Sequence, residues 1–181
     1  MKDNVRHTTD TPEGDAPTAP VIATPDHSEY RKALSCFGTG VTVVTARHQA
    51  HDVGMTCNSF SSVSLNPRLV LWSIRKEASS LEAFTQSGGF MVSVLAHNQA
   101  ELAMQFAKGS MAERFAGVPV TRHSSDRLRL QGAVAWFDCA VHQLIDAGDH
   151  MIVIGAVRDF GWQNCPALAY SQSRFGQFLP L

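Results

Sequence analysis

The stretch from Gly54 to Pro67, GMTCNSFSSVSLNP, combines the apolar positions of a β-strand with an unusual density of polar side chains. Its hydroxyls, thiol and amide lie between apolar residues that include Met55, Phe60 and Leu65. Serine and threonine are tolerated in edge strands, where their hydroxyls can bond to the local backbone. Periodicity alone therefore slightly favours a polar edge strand, and the alternative is a strand whose polar groups face a ligand.

Strand patterns lie on both sides of this stretch. Residues 38–47 (GTGVTVVTAR) carry β-branched side chains, and the strand pattern resumes after a polar loop, which predicts a hairpin. The segments 68–75 (RLVLWSIR) and 89–96 (GFMVSVLA) lack a polar side, as strands covered on both faces do. Two longer apolar segments on either side of residues 147–149 predict a second antiparallel hairpin. A weaker strand and a tail are expected at 166–178.

The helical signals are short and lie between the strands. Three predicted helices are preceded by pairs in capping-box positions, namely Asp26 with Glu29, Ser79 with Glu82, and Asn98 with Glu101. The first helix is expected at about residues 27–37, where apolar side chains recur at helical spacing: Tyr30, Ala33, Leu34 and Phe37. A further turn is expected at 111–117. Many short strands with few short helices, and no regular βαβ alternation, predict a mainly β fold built on a closed antiparallel barrel.

Composition and charge restrict the classes of function. A chain of 181 residues with 44% hydrophobic residues is ordinary for one globular domain. Its 15 basic and 16 acidic residues give a formal net charge of −1, so no broad field draws it to nucleic acid or to an anionic membrane. Four dispersed cysteines without a CxxC pair fit reduced thiols, and no run of roughly 20 apolar residues is present. We therefore expect a soluble, cytoplasmic protein.

The first 25 residues differ in composition from the rest. They contain four prolines and few large apolar side chains, too few to offset the entropy of ordering them. We therefore predict a flexible N-terminal arm at 1–25, followed by a single domain at 26–181.

Metal and nucleophile chemistry find little support in the sequence. His48 and His51 stand three apart in a polar loop without nearby carboxylates, so we interpret them as solvated loop residues and expect no metal site. Cys57 has no histidine placed to activate it, so we interpret it as a small buried residue that packs in the core. His150 follows Asp149 at the mouth of the predicted long hairpin. It either faces a ligand or bonds to Asp149 as a turn residue, and spacing does not decide between these.

A second polar cluster follows the strand at 68–75. Lys76 comes directly after it, and Ser79 and Ser80 come at the start of a predicted helix. Hydroxyls, backbone amides at a helix start and one cation can hold a phosphate without any large basic patch. This convergence counts against the plain edge-strand interpretation of residues 54–67.

Several motifs, taken in order, resemble the short-chain flavin reductases. The resemblance covers about Tyr30 to Phe175 and rests on GVTVVTA (40–46), GMTCNSFSSVSLNP (54–67), LVLWSIRKEASSLEAF (69–84), FMVSVLA (90–96), QFA (105–107), RFAG (114–117) and GDHMIVIGAV (148–157). It implies an antiparallel Greek-key split β-barrel of the FMN-binding type.

The resemblance also implies a set of site residues. Asn58 and neighbouring backbone groups would lie near the pyrimidine side of the flavin ring, with Ser61 and Ser62 toward the phosphate, and His150 would face the nicotinamide. The implied cofactor-binding positions are Thr56, Cys57, Asn58, Ser59, Ser61, Ser62, Arg75, Lys76, Ser79, Ser80, Ser93, Val94, Phe106, Ala107 and Arg114. The tail departs from many relatives, with Phe175 at a position often tyrosine, which leaves Tyr170, Arg174 and Phe175 unassigned.

The implied activity is transfer of a hydride from NADH or NADPH to FMN or FAD. Such a reaction needs two stacked rings at the right distance, and no nucleophile or metal. His150 would then be a positioning group. The resemblance further implies a homodimer, with the flavin near the subunit boundary, and a separate flavin-dependent monooxygenase that receives the reduced flavin.

Two other classes of function remain open on the sequence. One is a split-barrel flavoprotein that holds flavin as a tight prosthetic group or sensor, without nicotinamide turnover. The other is a non-enzymatic β-barrel interaction module, in which the hydroxyl clusters are incidental. The GDH turn (148–150) favours the reductase over the first alternative.

Overall fold

Antiparallel strands dominate the part of the chain that the computed structural model describes, residues 26–179. The strands are β1 (Thr39–Gly40), β2 (Thr42–His48), β3 (His51–Cys57), β4 (Ser61–Leu65), β5 (Arg68–Arg75), β6 (Gly89–Val94), β7 (Val120–Arg122), β8 (Leu128–Leu130), β9 (Ala135–Ala147), β10 (His150–Trp162), β11 (Leu168–Ser171) and β12 (Arg174–Gln177). The helices are α1 (His27–Ser35), α2 (Leu81–Gln86), α3 (Ala100–Lys108) and α4 (Met111–Arg114). The arm predicted at 1–25 lies outside the described residues.

The main sheet has seven strands in the order β3-β2-β6-β9-β10-β5-β4, and every pair is antiparallel. Smaller sheets of three strands (β1-β11-β12) and two strands (β7-β8) flank it. The main sheet curls around a buried cluster in which Trp72 meets Phe84 and Phe90 edge-on, at ring-centroid distances of 4.9 and 5.7 Å. The prediction of a mainly β fold with short helices is confirmed.

Both predicted hairpins are present. The turn between β2 and β3 is Gln49 and Ala50, which have φ values of 49° and 66°. The turn between β9 and β10 is Gly148, with φ of 65°, and Asp149, and it pairs Ala147 with His150. Positive φ in a two-residue loop matches the right-handed twist of the flanking strands. The second hairpin therefore fixes His150 at the first position of its strand.

A second apolar cluster lies on the outer side of β2 and β3 and holds α3 in place. Phe106 of α3 is fully buried and packs edge-on against Phe115, with ring centroids 5.0 Å apart. A methyl group built on Gly54 of β3 would lie 2.6 Å from the Phe106 ring. The glycine that opens the 54–67 stretch is therefore required by the close approach of α3.

One expectation about covered surfaces is wrong for the described chain, and a second surface, on α1, is also uncovered. β5 was expected to be covered on both faces, but Val70, Trp72 and Ile74 are buried while the alternate residues are partly exposed. No residue of α1 is buried, and Tyr30, Leu34 and Phe37 are 58, 56 and 77% exposed. The physical reason is the same in both cases, because no layer from residues 26–179 packs on these surfaces. β6 is covered on both faces as expected.

The predicted capping boxes also differ from the structure. α1 begins with Asp26, which accepts from the Ser28 amide, but Glu29 pairs with Lys32 instead of completing the box. α2 and α3 begin after Ser80 and Gln99, whose side chains make no capping bond. At α2 a preceding turn already supplies the carbonyl of Ala78 to the Leu81 amide. At α4 the residues of a capping box do bond, because the Glu113 carboxylate accepts from both the backbone amide and the hydroxyl of Ser110.

The small sheet of β7 and β8 is not evident in the sequence. β7 and β8 are three residues each, too short for a period-2 pattern to stand out. The predicted strand and tail at 166–178 form a complete hairpin of β11 and β12, which pairs with β1. Within the described part of the chain, none of the helices has the length and apolar character needed to cross a bilayer.

Candidate functional site

The polar stretch at 54–62 forms one wall of an open cleft beside α3. The cleft has a volume of about 200 Å³, and we call it the β3 cleft. It is lined by Val41, Thr56, Asn58, Ala103, Met104, Ala107, Tyr170 and Phe175. Three predicted site residues therefore meet here: Thr56, Asn58 and Ala107. Its walls are otherwise largely apolar, and on one side the rings of Tyr170 and Phe175 lie with their centroids 5.3 Å apart and their planes tilted by 55°.

Hydrogen bonds fix most of the polar groups in this stretch. The Thr56 hydroxyl donates to the carbonyl of Ala103 at 2.6 Å, which joins β3 to α3. The Ser59 hydroxyl oxygen accepts from the Ser73 amide at 2.9 Å and lies 3.0 Å from the Cys57 sulfur. Among residues 26–179 the exposed amide of Asn58 has no side-chain hydrogen bond. Asn58 is thus a polar group of the β3 cleft that can bind a ligand without breaking an existing side-chain contact.

A second, larger cleft lies between α1 and the long hairpin. It has a volume of about 590 Å³, and we call it the α1 cleft. It is lined by His27, Tyr30, Arg31, Leu34, Arg75, Asp149 and His150. Two of the predicted residues, Arg75 and His150, lie side by side here because their Cα atoms are paired across β5 and β10. A volume in the range of 300–1,000 Å³ is usual for small-molecule and cofactor sites.

His150 makes the bond to Asp149 that one of the two sequence interpretations expected. Its Nδ1 lies 2.7 Å from the Asp149 carboxylate, and the hydrogen bond from His150 lowers the pKa of Asp149 below its ordinary value. An ionised carboxylate accepts only, so Nδ1 is the donor. Nε2 has no hydrogen bond within the described chain, and His150 is among the residues that line the α1 cleft. The turn contact therefore orients His150 and leaves its other nitrogen for a ligand.

The two clefts are connected along the outer face of β5. Ser59 follows Asn58 of the β3 cleft and bonds to Ser73. Ser73 and Arg75 lie on the same face of β5, since alternate residues of a strand share a face. Arg75 in turn is paired with His150. A continuous line of polar residues thus runs from the β3 cleft to the α1 cleft.

The structure separates the two halves of the predicted phosphate site. Ser61 on β4 is paired with Leu71, four residues before Arg75 on β5. At roughly 3.3 Å per residue, that separation is about 13 Å. Ser61 and Ser62 are exposed on one side, and Arg75, Lys76 and Ser79 are exposed at the other. Lys76 is bonded to the exposed Asp146 at 2.6 Å.

Several predicted site residues do not line either cleft. Ser80 and Ser93 are buried, and the Ser93 hydroxyl oxygen accepts from the Leu130 amide at 3.2 Å. Val94 lies beside Ser93 in the central strand β6. Phe106 packs in the apolar cluster beneath α3. Arg114 donates to the carbonyls of Gly54 and Gly109 at 2.7 and 2.9 Å, and burial lowers the pKa of its guanidinium.

Sequence reasoning missed two walls of these clefts. Tyr170 and Phe175 were left unassigned because the tail departs from the family pattern, and Met104 is not among the site residues that the resemblance implies. The other missed wall is α1, whose Tyr30, Arg31 and Leu34 line the larger cleft. One signal in the sequence could have indicated this wall. The apolar side chains of α1 recur at helical spacing, but no other element was predicted to pack against them.

The architecture defines an antiparallel split β-barrel with connected open clefts at its outer face. The chain belongs to the family described as the flavin reductase like domain, whose model matches residues 34–179.

Known proteins resemble the chain in both sequence and structure. It is 38% identical over 148 residues to the reductase component of the flavin-dependent trigonelline monooxygenase of Acinetobacter baylyi, covering 81% of this chain and 47% of that one. It is 38% identical over 156 residues to the FMN reductase (NADH) SmoA of Agrobacterium fabrum, covering 82% of this chain and 84% of that one. The chain thus spans about half the length of the Acinetobacter relative.

A solved structure confirms the predicted fold class. The NADH:FAD oxidoreductase SgcE6 of Streptomyces globisporus superposes with a TM-score of 0.82 at 36% identity, covering 91% of this chain and 100% of that one. The same oxidoreductase in complex with NAD and FAD fragments superposes with a TM-score of 0.83 at 36% identity, covering 90% and 98%.

Proposed function

We propose that the chain is an NAD(P)H-dependent flavin reductase that uses FMN or FAD and supplies reduced flavin to a separate monooxygenase. The observation that carries the proposal is the line of polar residues that joins the two clefts, from Asn58 through Ser59 and Arg75 to His150. The named activities of the relatives, which use NADH with FMN or with FAD, support the same reaction.

The residues of the β3 cleft fit a flat heterocycle. Its walls are apolar and aromatic, and the free Asn58 amide offers both donors and an acceptor to a ring edge. A bound flavin supplies the hydride acceptor, and a bound nicotinamide supplies the donor. Asn58 and nearby backbone amides would orient the ring and stabilise negative charge at its pyrimidine edge. Ser61 and Ser62, at a distance from Arg75, would hold a different part of an elongated ligand.

His150 would position the nicotinamide. Asp149 fixes the ring orientation through Nδ1, and Nε2 would bond to the carboxamide edge of the nicotinamide. Direct hydride transfer requires alignment of the two rings and no proton transfer at the reacting carbon. His150 would therefore orient the donor and would not act as an acid or base.

The proposal includes a homodimer. The outer face of β5 and β10 places Leu69, Leu71, Ile152 and Ile154 side by side and only partly covered. This face adjoins the β3 cleft, which at about 200 Å³ is smaller than the usual cofactor site. A second copy packed on it would bury the aliphatic side chains and add a wall to the cleft.

The proposal also includes a location. The four cysteines are free thiols, which favours the reducing cytoplasm.

The dimer is tested by sedimentation. Wild-type protein is expected to sediment as a dimer, and Leu71→Asp as a monomer, because a charge on the packed face opposes its burial. Asn164→Asp, at an exposed position elsewhere, is the matched control and should remain dimeric. A monomeric wild type at micromolar concentration would contradict this part of the proposal.

The activity is tested by mixing the purified chain with NADH or NADPH and with FMN or FAD. Loss of the nicotinamide absorbance should require both the protein and a flavin, and its rate should saturate with each. The four combinations also establish which nicotinamide and which flavin are preferred. Absence of flavin-dependent oxidation in all four would exclude the reductase.

A further inference from the structure

Arg31 is a cation of the α1 cleft to which the proposed function assigns no ligand. It lies on α1, on the wall of the cleft formed with Tyr30 and Leu34. Within residues 26–179 its guanidinium has no ion pair and no hydrogen bond, and the one carboxylate of α1, Glu29, is bonded to Lys32 at 2.6 Å. The helix therefore leaves one of its two neighbouring cations paired and the other facing the cleft.

The charges around the cleft favour an anionic ligand. Arg31 and Arg75 face it from α1 and β5, together with the imidazoles of His27 and His150. The single carboxylate that lines it, Asp149, already accepts a hydrogen bond from His150. The lining of the cleft thus has two full positive charges, on Arg31 and Arg75, against the one negative charge of Asp149, and is net positive.

The position of the cleft identifies which anion it would take. His150, where the nicotinamide ring is proposed, lines the cleft from the hairpin, and Arg31 lines it from α1. A guanidinium presents a planar fork of N–H donors that matches the oxygens of a phosphate. The volume of about 590 Å³ accommodates more than a single ring.

We infer that Arg31 binds the pyrophosphate of the nicotinamide dinucleotide, with Tyr30 and Leu34 forming the apolar wall beside it. This inference rests on the proposed function. α1 then contributes to binding of the hydride donor, while the β3 cleft binds the flavin. The bound dinucleotide would then cover the side chains of Tyr30 and Leu34, which are exposed in its absence.

The test compares Arg31→Gln with Lys32→Gln. Both remove one positive charge from neighbouring exposed positions of α1, but Lys32 does not line the cleft. Binding of NAD+, NADP+, FMN and FAD is measured by calorimetry on the full chain, so that no turnover is needed. Unfolding curves of both variants verify that each is folded.

Arg31→Gln is expected to weaken NAD+ and NADP+ roughly tenfold and equally, because both contain the pyrophosphate. FMN and FAD should bind as in the wild type, and Lys32→Gln should be unchanged throughout. Loss of NADP+ alone would assign Arg31 to the 2′-phosphate and overturn the inference, as would loss of FAD alone. An unchanged Arg31→Gln would also overturn it.

Steady-state kinetics separates this inference from the proposed function. Arg31→Gln should raise the KM for NADH roughly tenfold with kcat unchanged, because the contact is made equally before and during hydride transfer. A wild type without turnover would overturn the proposed function itself. A wild type that turns over, beside a variant with an unchanged KM, would overturn only the role of Arg31.

Discussion

Two regions of this molecule contain the same residue types but differ in how completely their polar groups are paired. Between β7 and β9, Arg127 bonds to the buried Asp138 at 2.8 Å, and both ring nitrogens of His123 have partners, Ser125 at 2.9 Å and Asp159 at 3.1 Å. In the α1 cleft, Arg31 and Arg75 have no side-chain partner among the described residues. The two regions therefore differ in whether their charged side chains have a partner within the protein, and not in residue type. Paired groups stabilise the fold, and unpaired groups are available to a ligand.

Burial explains the difference. Asp138 has only 6% of its side chain exposed, and a buried charge is costly unless it is bonded, so Arg127 and Ser125 both donate to it. His150 has 37% of its side chain exposed. Water can satisfy such groups in the absence of a ligand, so they persist without a protein partner. A set of unpaired cations beside one oriented histidine is therefore compatible with a stable fold.

The largest effect is expected from Asp138→Ala. It leaves the Arg127 guanidinium, which is 17% exposed, without its partner, and should lower the free energy of unfolding by about 3–5 kcal/mol. The measurement is urea unfolding. Asp146→Ala is the control, because the exposed pair of Asp146 with Lys76 should contribute no more than about 1 kcal/mol. Equal losses in the two variants would remove the distinction between the regions.

An intermediate effect is expected from Arg75→Gln, on ligand binding and not on stability. Loss of a hydrogen bond to a phosphate of the nicotinamide dinucleotide should weaken NAD+ binding by about 1.5–3 kcal/mol, because Arg75 lines the α1 cleft. The matched control is Arg68→Gln, at the other end of β5, where the guanidinium lies 5.7 Å from the centre of the Phe160 ring. Calorimetric titration with NAD+ measures both variants. If Arg75→Gln binds the ligand as tightly as the wild type does, Arg75 makes no contact with its phosphates.

The smallest effect compares the two histidines. His150→Ala should raise the KM for the nicotinamide roughly five- to tenfold without changing that for flavin, since one positioning hydrogen bond is lost. His123→Ala should leave both KM values unchanged and lower the free energy of unfolding by about 1 kcal/mol, because its two bonds are structural. An unchanged KM in His150→Ala would reduce this residue to a turn contact with Asp149.

Local patterns predicted the strands and hairpins, because alternation and turn residues act over a few neighbours. The hairpins at Gln49–Ala50 and Gly148–Asp149 and the covered strand β6 follow from such patterns. The capping boxes predicted at Ser79 and Asn98 are wrong because other hydrogen bonds, from a local turn at α2 and from Gln99 at α3, take their place. Gln99, for example, accepts from the Ala96 amide and donates to the Gln131 carbonyl.

The candidate site was only partly accessible to sequence reasoning. The 54–62 stretch and His150 were found because their residue types and family resemblance point to a cofactor. Ser93 and Arg114 share those motifs but bond to the backbone of Leu130 and Gly54, and a motif does not report the direction of a side chain. Arg31 was missed because its place in the cleft depends on where α1 lies relative to a hairpin more than 100 residues away in the sequence.

The central claim is that the two clefts bind flavin and nicotinamide together and release the reduced flavin. The most direct measurement is anaerobic bleaching of the flavin visible absorbance, with a small amount of the chain, excess NADH and a large molar excess of FMN or FAD over protein. The account predicts that all of the flavin is reduced, through many turnovers of each chain. Reduction that stops at one flavin per chain, or no reduction at all, would contradict it.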